Sequence, residues 1–144
     1  MRSLLDVNYL VALLDPQHAF HDAAHEVWPL IEGNGWASCP ITEIGTIRII
    51  SGSKYPGSNK FTIPDLVTRL NGLTAQTDHE FWTEPVSIIN DREFDPSMIV
   101  GSKQITDIYL LGLATYKKAR LVTFDRKIPI GAVRAATASN LMVI

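Results

Sequence analysis

Short apolar runs alternate with longer amphipathic segments along the chain. Each of five apolar runs predicts a buried strand: 3–6, 36–39, 85–89, 121–124 and 141–144. Between them, apolar residues recur at three- and four-residue spacing, which predicts helices over 9–14, 18–32, 40–50, 63–75 and 104–119. This alternation predicts an α/β protein with a central, mostly parallel five-stranded sheet flanked by helices.

The composition is typical of one globular domain. Hydrophobic residues make up 46% and charged residues 19% of the 144 residues, which excludes a disordered tail and a coiled coil. No linker or repeat divides the chain, so a single domain over residues 1–144 is expected. The one cysteine, Cys39, cannot form an internal disulfide, and no apolar run approaches the ~20 residues that span a bilayer. We therefore expect a cytoplasmic protein without membrane association.

The charges are unevenly distributed, although the net charge of −2 gives no overall indication of nucleic-acid binding. Residues 1–47 contain one basic and six acidic side chains, whereas residues 103–134 contain seven basic and two acidic ones. Such a surface can combine acids that hold a metal with bases that attract a polyanion. Solvated helix faces explain the same distribution.

Four acids are predicted to lie along one edge of the sheet. Asp6 ends the first predicted strand and Asp125 follows the fourth, whereas Glu43 and Asp107 fall in the first turns of two helices. The carboxyl ends of parallel strands and the N-termini of the helices that follow share an edge, where ligands bind. Glu43 and Asp107 taken singly suit the helix dipole, but Asp6 and Asp125 have less reason to follow apolar strands. The four together favour a metal site.

Clustered carboxylates repel one another and take up protons unless a counter-charge is present. A divalent cation supplies that charge, because Mg²⁺ prefers oxygen ligands and Mn²⁺ accepts the same set. No Cys/His cluster accompanies the acids, which argues against structural zinc. No Ser-His-Asp or Cys-His set and no phosphate-binding glycine loop is recognisable. These features favour metal-assisted hydrolysis without a side-chain nucleophile.

Four segments resemble, in order, the motifs of PIN-domain nucleases: Leu4-Leu5-Asp6-Val7-Asn8, Thr42-Glu43-Ile44-Gly45, Ile105-Thr106-Asp107-Ile108 and Thr123-Phe124-Asp125-Arg126. Their order and spacing are similar to those of the small VapC-type toxins of toxin–antitoxin pairs. The resemblance implies a PIN-like three-layer fold and a Mg²⁺- or Mn²⁺-dependent endoribonuclease that cleaves RNA and inhibits translation and growth. It also implies a homodimer and a cognate VapB-type antitoxin whose C-terminal segment lies across the active site.

Matched by position to these motifs, Asp6, Glu43, Asp107 and Asp125 would be the catalytic acids. Of these, Asp6, Asp107 and Asp125 would bind the metal. Asn8 and Thr123 match polar positions that support the acids by hydrogen bonding. Residues 51–100 match only in general layout, so no functional residue is assigned there.

Other side chains are weaker candidates for function. Substrate phosphates have three candidate contacts near the acids: Arg48, Arg126 and Lys127. The loop with Lys54, Tyr55 and Lys60 is a further candidate for RNA contact. Solvated surface charge explains these basic residues equally well.

Three histidines, His18, His21 and His25, lie at helical spacing in the second predicted helix. They have no evident fourth ligand, so packing or exposed roles are expected rather than a metal site. The apolar helices around 9–31 and 63–75 carry more hydrophobic surface than a small sheet covers, which predicts a surface for self-association or a partner.

Two alternative functions stay open. A DNA-directed nuclease is one, because the acids do not distinguish the two sugars. A non-catalytic PIN-like binding module is the other, although it would be expected to lack one of the acids. Two further classes are disfavoured, since a haloacid-dehalogenase-type phosphatase needs a second acid where Asn8 stands and a response-regulator receiver needs adjacent acids after the first strand.

Overall fold

Short strands form a single parallel sheet in the part of the chain that this computed structural model describes, residues 1–57 and 61–144. The strands are β1 (Ser3–Leu5), β2 (Trp36–Ser38), β3 (His79–Phe81), β4 (Arg120–Thr123) and β5 (Leu141–Val143). Their order is β3-β2-β1-β4-β5, and every neighbouring pair is parallel. The first strand in sequence therefore lies at the centre, beside β4, and the residue after it lies at the middle of the sheet edge.

The helices are α1 (Val7–Leu14), α2 (His21–Asn34), α3 (Pro40–Ser51), α4 (Ile63–Gln76) and α5 (Ile105–Tyr116). Local sequence explains where several of them begin. Pro40 occupies the first position of α3, where its missing N–H costs nothing. Thr62 and Asp65 form a capping box that opens α4. Asp6 caps α1, so the central acid also starts the helix that follows it.

The side chains of β1 alternate between two buried layers. Leu4 packs with Leu121 and residues of α5 on one face, whereas Leu5 packs with Val122 and residues of α1 and α2 on the other. Leu4 and Leu5 are fully buried, and each such burial contributes about 1.5–3 kcal/mol. The predicted three-layer arrangement of helix, sheet and helix is confirmed.

The third strand does not lie at 85–89, where the apolar pattern predicted it. Val86 is buried in the core, but Ile89 is 89% exposed and the segment forms turns. Instead, His79–Phe81 pairs with β2, although two of its three residues are exposed. An edge strand is held by backbone pairing along one side, so its sequence need not carry an apolar pattern. Arg2 secures it with ion pairs to Asp78 and Glu80.

The second helix begins at His21 rather than at residue 18, so His18 lies in the turn between α1 and α2. The segment α1 is largely buried, and five of its eight residues belong to the core. The exposed apolar side chains of the region 9–31 are therefore on or before α2, at Phe20 and Leu30. None of the helices in the described ranges has the length and apolar character of a membrane span.

Candidate active site

Three of the four predicted acids meet at the carboxyl edge of the two central strands. Asp6 follows β1, and its backbone N–H continues the strand pairing by donating to the Val122 carbonyl at 3.0 Å. Asp125 comes two residues after β4, and Asp107 lies in the first turn of α5. Electrostatic repulsion couples these three carboxylates to one another. Asp6 and Asp107 line one cleft together, and Asp125 is electrostatically coupled to both.

Asp6 is the most firmly held of the three acids. It is only 3% exposed, and its Oδ1 accepts a 2.7 Å hydrogen bond from the Val7 N–H. Its Oδ2 accepts a 2.6 Å hydrogen bond from the Thr123 hydroxyl. Both bonds favour the charged form of the carboxylate and fix its orientation. The central acid is thus positioned by one contact from its own helix and one from the neighbouring strand.

Thr123 and Asn8 extend this network to Asp125. The Thr123 hydroxyl oxygen accepts hydrogen bonds from the Asn8 side-chain amide and from the Asp125 N–H, both at 3.0 Å. Asn8 Oδ1 in turn accepts from the Phe124 N–H at 3.1 Å. The turn after β4 is therefore tied to the start of α1. These contacts agree with the supporting positions predicted for Asn8 and Thr123.

The site carries more negative charge than its surroundings neutralise. Burial, followed by repulsion from Asp6 and Asp125, raises the pKa of Asp107 to about 7. Burial also raises the pKa of Asp6, against the opposing effect of its two hydrogen bonds. Across residues 1–57 and 61–144, none of these three acids forms an ion pair with a lysine or arginine. The unrelieved repulsion marks a place where a cation would be stabilised.

The donor set fits Mg²⁺ or Mn²⁺ because it consists of carboxylate oxygens. Within the described ranges, no group of three or more His, Cys, Asp or Glu side chains is placed so that it could hold a metal ion. Mg²⁺ does not require one, since it keeps several waters and is commonly held by one or two carboxylates. The coupled acids therefore suit a hydrated hard cation better than a metal enclosed by protein ligands.

Glu43 lies at the same sheet edge but makes different contacts. Its Oε1 accepts a 2.6 Å hydrogen bond from the Ser38 hydroxyl, and Ser38 also contacts His79 Nε2 at 2.8 Å. The pairing of Leu4 with Ala37 places Ser38 beside the residue that precedes Asp6, one strand away. Glu43 is thus held from the β2 side, and it does not line either of the spaces that Asp6 and Asp107 line. Its catalytic role stays a prediction.

An open cleft of about 780 Å³ exposes two of the predicted acids to solvent. Asp6 and Asp107 line it together with residues of α3, including Gly45 and Arg48. A Cβ on Gly45 would lie 2.7 Å from Val7 Cγ2, so glycine allows α3 to approach α1 closely beside Asp6. A side cavity of about 290 Å³ also reaches Asp6 and Asp107, and its remaining polar residues are Asn8, His18 and Tyr55. We refer to these two spaces as the acid cleft and the side cavity.

Comparison with known proteins identifies the family. No family model matches the chain. Ribonuclease VapC44 of Mycobacterium tuberculosis (strain ATCC 25618 / H37Rv) is 42% identical to it over 147 residues, covering 100% of both proteins. The chain belongs to the VapC ribonuclease family.

Solved structures of VapC proteins show the same fold at low sequence identity. VapBC2 from Rickettsia felis, bound to a DNA fragment from its promoter, matches with a TM-score of 0.63 and 15% identity, covering 100% of this chain and 99% of that one. Mycobacterium tuberculosis VapC20, described as a Sarcin-Ricin loop cleaving toxin, matches with a TM-score of 0.59 and 10% identity, covering 93% and 98%. The predicted VapC-type family and PIN-like fold are confirmed.

Two side chains of this VapC chain border the acids although the sequence did not point to them. Glu84 lines the acid cleft, and its Oε1 accepts a 3.2 Å hydrogen bond from the Ile41 N–H near the start of α3. Glu84 follows the edge strand β3, so a correct placement of that strand would have put it at the carboxyl edge. His18 lines the side cavity from a turn that has no sequence motif.

The basic candidates differ in their relation to the VapC acids. Arg48 lines the acid cleft and also a neighbouring groove of about 460 Å³ that includes Lys54 and Tyr55. Arg126 and Lys127 are exposed beside Asp125, and the Lys127 backbone N–H donates to Asp125 Oδ1 at 2.8 Å. Lys60 lies outside the described residues. Phosphate binding by Arg48, Arg126 and Lys127 stays a prediction.

The other two histidines have structural contacts. His21 Nδ1 lies 2.8 Å from the Ala12 carbonyl oxygen, and His25 Nε2 lies 3.1 Å from the Leu13 carbonyl oxygen. These carbonyls belong to the last turn of α1, where the helix provides no backbone N–H to hydrogen-bond with them. The expected packing role therefore describes His21 and His25 well.

Proposed function

We propose that the chain is a divalent-metal-dependent endoribonuclease and the toxin of a toxin–antitoxin pair. The observation that carries this proposal is the cleft at the sheet edge that Asp6 and Asp107 line together, coupled to Asp125 and with no ion pair to any of the three acids among the described residues, in a member of the VapC family. Bound there, Mg²⁺ or Mn²⁺ would supply Lewis-acid activation of water and offset negative charge on the phosphoryl group.

The side chains around the acids would orient the carboxylates and bind the substrate. Val7 and Thr123 hold the Asp6 carboxylate in its charged form, and Asn8 and Thr123 fix the turn that carries Asp125. Glu43 would act as the fourth catalytic acid, oriented by Ser38. Three basic side chains would contact the RNA phosphates on either side of the cleaved bond: Arg48, Arg126 and Lys127.

The same surface suits a VapB-type antitoxin as partner. Ile44 and Ile49 of α3 are 57% and 48% exposed on either side of Arg48, and all three residues line the acid cleft. An antitoxin segment that covers these apolar side chains would also block access to the acids. For the proposed homodimer, the exposed Ile63 and Val67 of α4 offer an apolar surface. We also propose that the protein acts in the cytoplasm, where its RNA substrate would be found.

Cleavage assays with Asp107→Asn test the proposal. The wild-type protein should cleave RNA with Mg²⁺ or Mn²⁺, lose activity in excess EDTA and regain it when metal is restored. Asp107→Asn should not cleave, although its circular dichroism should equal that of the wild type, because amide replacement removes a charged oxygen ligand without changing size. An Asp107→Asn variant that cleaves at the wild-type rate would refute the assignment.

The substrates should be chosen to separate the alternatives. A matched pair of unstructured RNA and DNA oligonucleotides distinguishes an RNase from a DNA-directed nuclease. An RNA hairpin with the sarcin–ricin loop sequence should be included, because VapC20 is described as cleaving that loop. Cleavage of DNA but not RNA, or of neither, would contradict the proposed function. Light scattering at assay concentration tests the dimer, which a strictly monomeric mass would exclude.

A further inference from the structure

We propose that His18 contacts the substrate directly, donating a hydrogen bond from Nε2–H to an RNA phosphate oxygen beside the acids. This inference rests on the proposed function, because it takes the side cavity to be part of the RNA-binding surface. His18 shares that cavity with Asp6 and Asp107, although it comes from the turn between α1 and α2.

The tautomer of His18 is set by a local contact. Its Nδ1 accepts a 3.0 Å hydrogen bond from the Phe20 N–H, so Nδ1 must present a lone pair. In a neutral imidazole with Nδ1 as acceptor, the proton is on Nε2. The ring therefore offers one N–H donor, and this is the atom that the local turn leaves unused. The described part of the chain provides no hydrogen-bond partner for His18 Nε2.

Most of the other polar atoms that line the side cavity are already hydrogen-bonded. The Asn8 amide donates one of its two N–H groups to Thr123, the Tyr55 hydroxyl donates to Asp15, and the Asp6 oxygens accept from Val7 and Thr123. A phosphate that approaches the negatively charged acids needs donors to stabilise it. Among the described side chains lining the side cavity, His18 Nε2–H and the second N–H of Asn8 are the donors that remain for this purpose.

The turn that carries His18 is well anchored, so the donor is presented in a fixed position. The His18 N–H donates to the Asp15 carbonyl, and the His21 N–H donates to the His18 carbonyl, both at 3.0 Å. Phe20 stacks on Phe124 with ring centroids 4.8 Å apart, which ties the turn to the residue that precedes Asp125. A preorganised donor costs less conformational entropy on binding than a flexible lysine.

Two replacements test the roles of Nδ1 and Nε2 of His18 separately. His18→Asn retains an acceptor for the Phe20 N–H, as in an Asx turn, but is too short to supply the cavity donor. His18→Gln places an amide N–H near the position of Nε2. We expect His18→Asn to weaken RNA binding and kcat/KM about tenfold, mainly through KM, because one hydrogen bond to a charged group is lost. His18→Gln should stay within about threefold of wild type.

Binding, kinetic, stability and NMR measurements test this contact. Binding of a fluorescent unstructured RNA is measured in the cleavage-deficient Asp107→Asn background, with kcat and KM measured in the active protein and melting temperatures for each variant. Because a neutral donor releases no counterion, His18→Asn should leave the slope of log Kd against log salt unchanged. Long-range ¹H–¹⁵N spectra should show the Nε2–H tautomer in the free protein and a shift of Nε2 on addition of RNA.

The outcomes distinguish this contact from the proposed function. If wild-type protein cleaves RNA and His18→Asn binds and cleaves equally well, the His18 contact is wrong while the ribonuclease assignment stands. Loss of activity in His18→Gln but not in His18→Asn would assign His18 to the turn alone. An Nδ1–H tautomer would also overturn the proposal. If the wild-type protein neither binds nor cleaves RNA, the proposed function itself fails.

Discussion

Thr123 joins the two strands that carry the acids through a single hydroxyl group. Its one proton goes to Asp6 Oδ2, and its oxygen accepts from Asn8 and from the Asp125 backbone. Thr123 is fully buried and Asp6 is 3% exposed, so the Asp6 carboxylate would lack a substitute partner if the hydroxyl were removed. The spacing between Asp6 and Asp125 therefore depends on a residue that is not itself acidic.

Thr123→Val should lose most of its ribonuclease activity and unfold more easily by about 1–3 kcal/mol. Valine keeps the shape and strand propensity of threonine but leaves buried polar groups unpaired. Thr123→Ser is the matched control, since it retains the hydroxyl and should keep activity within a few-fold of wild type. Cleavage rates and urea unfolding measure both effects. Wild-type activity in Thr123→Val would show that the network does not position the acids.

Glu43 and Glu84 can be compared directly because each follows a strand at the β2–β3 side of the sheet. Glu43→Gln should greatly reduce cleavage, because the proposed mechanism uses its charge as the fourth catalytic acid. Glu84→Gln should have a small effect, since the glutamine oxygen can still accept from the Ile41 N–H. Cleavage rates at fixed Mn²⁺ concentration measure both. The reverse result would make Glu84, rather than Glu43, the fourth catalytic acid.

At the scale of the elements, burial decides which parts of the fold can be predicted from sequence. The central strands β1 and β4 are apolar because both of their faces are covered, and their positions follow from the sequence. The edge strand β3 has exposed side chains and is formed by backbone pairing with β2, so its sequence carries no such pattern. The apolar run 85–89 instead supplies Val86 to the core from an irregular segment.

A glycine allows α5 to pack closely against the loop that precedes it. A Cβ on Gly112 would lie 2.3 Å from Cζ of Phe94, a ring that is 1% exposed and cannot move freely. Gly112→Ala should therefore destabilise the protein by about 1–3 kcal/mol. Gly72→Ala in α4 is the control: nothing lies within 4 Å of its Cβ, and alanine favours the helix by about 1 kcal/mol. Urea unfolding of both variants tests this, and equal effects would contradict the close packing of α5.

At the scale of the whole molecule, the active site is assembled from segments that are distant in sequence. The positions of Asp6 and Asp125 could be predicted because each follows a buried strand of a parallel sheet. The position of Glu84 could not be predicted, because the apolar pattern puts the preceding strand at the wrong residues. The position of His18 could not be predicted either, because it is the folding of the α1–α2 turn that brings His18 to the side cavity with Asp6. The sequence thus predicts the functional residues that adjoin buried core strands. It misses the functional residues that an edge strand or a turn brings to the site.

The charge of the assembled site should also govern the stability of the whole protein. Asp107 has a pKa of about 7 in the folded state against 3.8 for an unperturbed aspartate, so the folded protein holds this proton more tightly than the unfolded chain does. The free energy of unfolding should therefore fall as pH rises from about 4 through 7, because burial disfavours the ionised Asp107 carboxylate and Asp6 and Asp125 repel it. Asp107→Asn abolishes this ionisation, so in EDTA it should be more stable than wild type at pH 8 and closer to it at pH 5.

Urea unfolding at pH 5 and pH 8, with EDTA or with Mn²⁺, measures this difference between the two proteins. Subtracting the unfolding free energy of the variant from that of the wild type removes the contributions of all other titrating groups that the two proteins share. Mn²⁺ should raise the stability of the wild type at pH 8 more than that of Asp107→Asn, because binding to the folded state alone is stabilising. Glu26→Gln, at an exposed position of α2, is the control and should follow the wild-type dependence. If Asp107→Asn shows the same pH dependence as wild type, the acids do not repel one another as the structure indicates.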